Sequence, residues 1–220
     1  MPMKKFLNDI RSAENPISGN RKIINTIAIL LLGIALGTFS KFLDFRQAEL
    51  PSVLMAIDGA LDVHNFLGRF AIWVLIALCI SIYSNSAIRA SVNVFVFFAG
   101  MVVSYYLYSN YVAGFFPRSY AMIWVGFTMI SPFLAFVCWY AKGKSRPAFV
   151  LSVLILAVLS NMTFVYGWGY FKARSVLELI VFIIGLTVLR RDTLKSSVLM
   201  GTISIVLAFL FNIIIPFHLG

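Results

Sequence analysis

The chain has 220 residues, of which 61% are hydrophobic and 12% charged, and its formal net charge is +10. Soluble domains carry about 45–50% apolar and about 25% charged residues, so this chain could not hide its apolar surface inside one water-soluble globule. Its basic residues lie in short clusters between long apolar runs, which excludes the continuous basic patch of a nucleic-acid-binding domain. We therefore expect an integral membrane protein that binds no nucleic acid.

In chain order, residues 1–22 are polar and predict a cytoplasmic tail with a short amphipathic helix near residues 6–10. About seven apolar stretches follow, each near the length that a helix needs to cross the hydrocarbon core. The predicted spans are 23–42, 67–83, 91–111, 120–140, 148–166, 171–189 and 197–217. The connections are short, so we predict an all-α, polytopic transmembrane bundle in which residues 23–217 form one helical domain.

The longest connection, between the first and second spans, contains a segment with helical spacing at residues 53–63. Apolar residues recur there every three or four positions, and Asp58 and Asp62 share the other face. The segment is too short to span a bilayer, so the pattern predicts an amphipathic helix that lies at the outer interface.

The distribution of basic residues predicts the orientation. With seven spans, 12 of the 18 Lys and Arg residues fall in the N-terminal tail and in the loops on the same side, and 6 fall on the other side. Cytoplasmic segments carry such an excess, so we expect the N-terminus inside and the C-terminus outside. The small size and short loops suggest a bacterial plasma membrane.

The height of each polar residue along its helix suggests where a site would lie. Counting from Arg190 at about 1.5 Å per residue places Glu178 about 18 Å and Arg174 about 24 Å into the sixth span. The other strongly polar positions also fall in the outer half, which indicates a polar vestibule. Arg174 is the local partner expected for Glu178, and Lys41, Arg69 and Lys172 are further candidates if the bundle brings them near. The predicted binding residues are Glu178, Arg174, Lys41, Arg69, Asn161, Asn212 and Lys172.

Each of these features has a structural alternative. Glu178 and Arg174 could simply pin one helix, whereas Lys41, Arg69 and Lys172 could extend from helix ends towards the interface. Asn161 and Asn212 could form hydrogen bonds between helices. The favoured interpretation of Lys41, Arg69 and Lys172 is this extension.

The leading functional hypothesis is a transport-type or solute-binding membrane protein that takes a small polar or anionic solute or a lipid headgroup. The first alternative is an enzyme that acts on lipid headgroups, for which Asp58, Asp62, His64 and Glu178 would supply acid–base groups. We expect instead that Asp58, Asp62 and His64 form a solvated polar face and that the chain has no catalytic residues.

The second alternative is an accessory subunit with a membrane-protein partner, suggested only by Gly33 and Gly37 at GxxxG spacing. The chain has two histidines and two cysteines and lacks nucleotide-binding and metalloprotease motifs. We therefore expect neither a metal nor a cofactor.

Overall fold

A computed structural model describes residues 3–13, 18–46, 49–167 and 169–214. Within these ranges the chain forms ten helices and one β-hairpin. The helices are α1 (Met3–Ile10), α2 (Gly19–Phe45), α3 (Ser52–Leu61), α4 (Val63–Gly68), α5 (Phe70–Ile82), α6 (Ala87–Tyr111), α7 (Arg118–Tyr140), α8 (Arg146–Thr163), α9 (Val176–Val188) and α10 (Leu194–Ile214). The strands are β1 (Phe164–Gly167) and β2 (Tyr170–Ala173). Parts of the predicted tail (residues 1–2 and 14–17) and the end of the seventh predicted span (215–217) lie outside the described residues.

The helices divide into long and short ones. By length and composition, five of those described could cross a membrane: α2, α6, α7, α8 and α10. At the second and sixth predicted spans the structure has α5 and α9, which are apolar but only 13 residues long each. At about 1.5 Å per residue such a helix is about 20 Å long, short of the roughly 30 Å hydrocarbon core. The chain is thus a helical, multi-pass membrane protein in which two predicted spans are shorter than expected.

The structure adds a short β-hairpin, which was not predicted, to an otherwise helical fold. The fifth span was predicted to continue to residue 166 and the sixth to begin at 171, but α8 ends at Thr163 and α9 begins at Val176. Between them β1 pairs antiparallel with β2, from Phe164 opposite Ala173 to Gly167 opposite Tyr170. Aromatic and β-branched residues favour strands, and Gly169 supplies the positive φ of 79° at the turn. Hydropathy alone does not distinguish such a segment from a helix end.

The helix between the first two long helices exists where the sequence predicts it, over Ser52–Leu61. It ends because Asp62 adopts a left-handed conformation, with φ 56° and ψ 46°, which aspartate tolerates better than most residues. The short helix α4 then leads to α5. The interfacial position of α3 stays a prediction.

Close packing of α2 on α6 explains the GxxxG pair. A Cβ atom at Gly33 would overlap the carbonyl oxygen of Phe97, and one at Gly37 would overlap that of Met101. Both glycines therefore allow two backbones of this chain to touch. The pattern that suggested a partner protein is used inside the bundle, and no other sequence feature supports the accessory-subunit hypothesis.

The N-terminal helix α1 packs on the bundle. Ile10 is buried against the core, and a Cβ atom at Gly143, in the loop between α7 and α8, would overlap the Ile10 carbonyl oxygen. We call the end of the bundle formed by α1 and the loops 83–86, 141–145 and 189–193 the basic end. The opposite end, formed by α3, α4 and the β-hairpin, is the hairpin end.

Candidate functional site: a charged network at the hairpin end

Glu178 lies in the first turn of α9, and none of its surface is exposed. Its carboxylate accepts a hydrogen bond from Arg69, whose Nη1 lies 2.5 Å from Oε1. The hydroxyl of Ser175, which caps α9, donates to the other carboxylate oxygen. The N-terminal turn of a helix favours negative charge, so the capping residue, the helix dipole and Arg69 all stabilise the ionised carboxylate.

Arg69 joins two elements at this point. It is the extended N-cap residue of α5, with φ −94° and ψ 163°, and 109 residues separate it from Glu178. The N-termini of the two short helices therefore meet at one ion pair. The hydroxyl of Thr163, the last residue of α8, donates to the main-chain oxygen of Glu178 at 3.1 Å and ties a third helix to this position.

The network continues from Arg69 towards α3. Nη2 of Arg69 lies 3.6 Å from Oδ2 of Asp62, and Oδ1 of Asp62 lies 3.7 Å from Nδ1 of His64. Nδ1 of His64 lies 2.9 Å from Oδ2 of Asp58, and the His64 main-chain N–H donates to Oδ1 of Asp58 at 2.8 Å. Five ionisable side chains thus form a continuous chain of contacts from Glu178 to Asp58.

The expectation of a solvated polar face is wrong for Asp58, whose exposed fraction is only 7%. In α3 the side chains of Val53, Met55 and Ile57 are exposed instead. Apolar side chains of α3 therefore face outward, whereas the Asp58 carboxylate faces the protein. Asp62 remains partly exposed, with 45% of its side chain accessible.

Of the predicted site residues, the structure brings Arg69 and Glu178 together. The cation that binds the Glu178 carboxylate is Arg69 rather than the expected Arg174, whose main-chain N–H donates to the Thr163 oxygen. Lys172 is exposed on β2. Lys41 belongs to a second cluster, in which its Nζ lies 2.6 Å from Asp44 and 5.4 Å from the centre of the Tyr105 ring.

The two predicted asparagines lie on neighbouring helices, α8 and α10, and both are half-buried. Oδ1 of Asn161 is buried and has no hydrogen-bond partner among the described residues, and the same holds for the hydroxyl of Tyr166 on β1. Buried polar atoms without a partner are rare in folded proteins. Both atoms are therefore candidates for contact with a polar group that the structure does not contain.

An aromatic cleft at the same end was missed by the sequence analysis. It lies between α2, α4, α6 and α7. Its lining residues are Ser40, Leu67, Gly68, Trp73, Met101, Val102, Tyr105, Tyr106, Tyr120 and Trp124. The Tyr120 hydroxyl donates to the Gly68 oxygen at 2.9 Å, whereas the buried Tyr106 hydroxyl has no hydrogen-bond partner in the described part of the chain. The sequence feature that could have predicted this cleft is the cluster of tyrosines at one end of the predicted spans.

These features define a class of protein: a helical, multi-pass membrane protein with a buried ionic network at one end. Within the described ranges, no three His, Cys, Asp or Glu side chains form a group that could hold a metal ion. Comparison with protein-family models, curated proteins and solved structures gives no match. The particular function must therefore be argued from the site itself.

Proposed function

We propose that this protein is a transport-type or solute-binding membrane protein whose site lies at the hairpin end. The basic end faces the cytoplasm, which puts the hairpin end outside, in accord with the excess of Lys and Arg at the basic end. The protein crosses a bacterial plasma membrane seven times, with α4 completing the crossing of α5 and the β-hairpin completing that of α9.

The observation that carries this proposal is the Arg69–Glu178 ion pair at the N-termini of two short helices. Removing two charges from water costs several kcal/mol per ion, and apolar side chains could have filled the same space. Interrupted helices whose N-termini meet inside a membrane domain are typical of transporters, where they form the solute site. Backbone that is not helical at membrane depth is tolerated where it is buried in protein or lines a cavity.

The chemistry around the pair favours a small polar or anionic solute or a lipid headgroup. Arg69 has N–H groups for an anion, and Asn161 and Tyr166 add buried polar atoms without partners among the described residues. Glu178 would hold Arg69 in the orientation in which its remaining N–H groups can bind the solute. The remaining predicted residues, Arg174, Lys41, Lys172 and Asn212, lie on the surrounding elements and are proposed to line the approach.

The experiment is binding and uptake by the purified, reconstituted protein. A panel of amino acids, carboxylic acids, sugars and inorganic phosphate is screened for thermal stabilisation, and radiolabelled forms of the solutes that stabilise are offered to proteoliposomes. We expect Glu178→Gln to abolish both responses, because it releases Arg69. Glu49→Gln is the matched control, since Glu49 is an exposed carboxylate paired with Arg46 at the same end. Equal responses in both variants and wild type, or none to any solute, would contradict the proposal.

A second candidate function, hydrolysis of lipid headgroups, is favoured by the Asp58–His64 contact. A buried carboxylate that binds Nδ1 of an imidazole orients the ring, as general-base catalysis requires. Vesicles that contain fluorescent phosphatidylethanolamine and phosphatidylglycerol, analysed by thin-layer chromatography, test it. Turnover that is lost in His64→Gln but retained in Glu178→Gln would favour the enzyme over the transporter. Absence of turnover by the wild-type protein would eliminate it.

A further inference from the structure

A second charged region lies at the basic end, in a cleft between the loops that join α7 to α8 and α9 to α10. Its lining residues are Lys142, Gly143, Lys144, Ser145, Phe149, Arg190, Arg191, Asp192, Thr193 and Ser196. Nothing in the proposed function uses this cleft, which lies at the opposite end of the bundle from Glu178.

The cleft has an excess of positive charge. Four cations and one carboxylate line it, which leaves a net charge of +3. Lys142 donates to the main-chain oxygens of Val188 and Arg190, at 2.6 and 3.3 Å. These acceptors are neutral, so the hydrogen bonds hold the lysine without cancelling its charge.

Arg191 is held in the same way. Its guanidinium donates to the main-chain oxygens of Gly143, Ala141 and Ala148 and to the hydroxyl of Ser152. Its Nε atom is buried and has no hydrogen-bond partner in the described ranges. The arginine is therefore fixed in position by main-chain and hydroxyl oxygens, and Asp192 is the nearby carboxylate that acts on its charge.

The nearby cations affect the pKa of Lys142. Burial is the main cause that lowers the pKa of this lysine, and the nearby charges of Arg191, Arg190 and Arg11 lower it further. Charge repulsion of this kind is relieved when an anion enters the cleft.

Helix N-termini also lie at the cleft. The helices α8 and α10 both begin beside it, so that the positive ends of their dipoles lie there, although Pro147 has no N–H group and the Ser196 N–H already donates to the Thr193 hydroxyl. The Oγ atom of Ser145, the N-cap residue of α8, is buried and lacks a hydrogen-bond partner in the part of the chain that the structure describes.

We propose that this cleft binds a phosphate group, from either an anionic lipid headgroup or a soluble phosphate compound. Lys144 and Arg190 are exposed at its rim and contact the group directly. The Ser145 hydroxyl donates a hydrogen bond from the base of the cleft, while Lys142 and Arg191 supply a fixed positive electrostatic potential. A phosphate suits this arrangement because its several oxygens accept charge-assisted hydrogen bonds from donors in different directions.

The experiment is native mass spectrometry of the full chain released from nanodiscs of phosphatidylcholine, with and without phosphatidylglycerol. The test variant is Lys144→Ala/Arg190→Ala, which leaves the structural cations in place. The matched control is Lys4→Ala/Lys5→Ala, which removes two exposed cations from α1 at the same end. We expect the test variant to retain phosphatidylglycerol roughly 30-fold more weakly than wild type, at about fivefold per cation, and the control to change little.

A second arm distinguishes the two sources of the phosphate. Inorganic phosphate and glycerol 3-phosphate are added to protein in phosphatidylcholine nanodiscs, and binding is followed by thermal stabilisation. If inorganic phosphate or glycerol 3-phosphate stabilises the wild-type protein but not the test variant, the ligand is a soluble phosphate compound. If the protein retains phosphatidylglycerol and neither soluble probe stabilises it, the ligand is a lipid. Binding of neither probe, or equal weakening in the test and control variants, would overturn the proposal. Ser145→Ala should weaken binding of the assigned probe without unfolding the protein.

Discussion

The short helices α5 and α9 begin at the hairpin end and finish at the basic end, and different interactions stabilise their termini at the two ends. At the basic end α5, α7 and α9 finish, and their last carbonyl groups are bound by cations from other segments. Arg11 donates to Ile82 and Trp139, Lys142 to Val188, and Arg191 to Ala141. A helix C-terminus carries partial negative charge and unpaired carbonyl groups, so cations suit it.

At the hairpin end α5 and α9 begin, and there Glu178 lies in the first turn of one helix and binds the N-cap residue of the other. The difference has a consequence for function. At the basic end the cations bind main-chain carbonyl groups, whereas the hairpin end is held by contacts between charged side chains. Under the proposed function, a competing ion would therefore act at the hairpin end.

The largest effect is expected from Glu178→Ala, which leaves Arg69 with a buried charge. We expect a loss of about 3–5 kcal/mol in the free energy of unfolding, or roughly 10 °C in the apparent Tm of the detergent-solubilised protein. The double variant Arg69→Met/Glu178→Leu should recover most of the loss. Glu49→Ala is the control, and a Glu178→Ala loss no larger than the control's would contradict the assignment.

Removal of Arg11 tests the basic end. Arg11→Ala deletes hydrogen bonds to two main-chain oxygens and a contact in which the guanidinium lies 4.2 Å from the centre of the Trp139 ring. We expect about 3 kcal/mol less protection of α1, since the two hydrogen bonds are made by a charged group and contribute about 1.5 kcal/mol each at the lower limit. Hydrogen exchange of the α1 amides measures it, with Lys5→Ala for comparison. Unchanged exchange would mean that Ile10 and Gly143 alone hold α1.

Two glycine substitutions test the helix packing between the two ends of the bundle. Gly37→Ala should destabilise the protein by about 1–3 kcal/mol because its Cβ would overlap the Met101 carbonyl oxygen. Gly126→Ala, in α7, is the control, because a Cβ there meets nothing within 4 Å. That variant should be neutral or slightly stabilising. Thermal unfolding of the two variants side by side decides the matter, and similar losses in both would refute the close approach.

The smallest effect is expected from Lys41→Met. Its partner Asp44 has 50% of its side chain exposed, and ion pairs with an exposed partner contribute at most about 1 kcal/mol. The shift in Tm should therefore be a few degrees at most, far below that of Glu178→Ala. A shift as large as that of Glu178→Ala would place Lys41 in the ionic network.

Composition and hydropathy were sufficient to predict the helical membrane class and the positions of the five long helices. Amphipathic spacing located α1 and α3 to within a few residues. These features depend on local sequence, and the apolar stretches are long enough to be unambiguous.

The hairpin and the ionic network could not be derived in the same way. Residues 164–173 are apolar enough to extend the flanking helices, so a hydropathy window does not separate strand from helix. The pairing of Arg69 with Glu178 depends on how α5 packs against α9. The i−4 rule favoured the local neighbour Arg174, and the sequence could not choose among the further candidates Lys41, Arg69 and Lys172. Asp58 was misjudged because the direction of a short helix's polar face is decided by tertiary packing.

As one of the seven proposed spans, the short helix α9 would affect the surrounding lipid. Ile180, Ile183 and Ile184 are exposed along it, yet its length of about 20 Å leaves a hydrophobic mismatch with a typical bilayer. Tyr170 and Phe171 on β2 are exposed beyond its N-terminus and extend the apolar surface in that direction. The bilayer beside α9 would become locally thinner, or its lipids would contact these rings. The thickness of the host membrane would therefore influence the position of the hairpin next to Glu178.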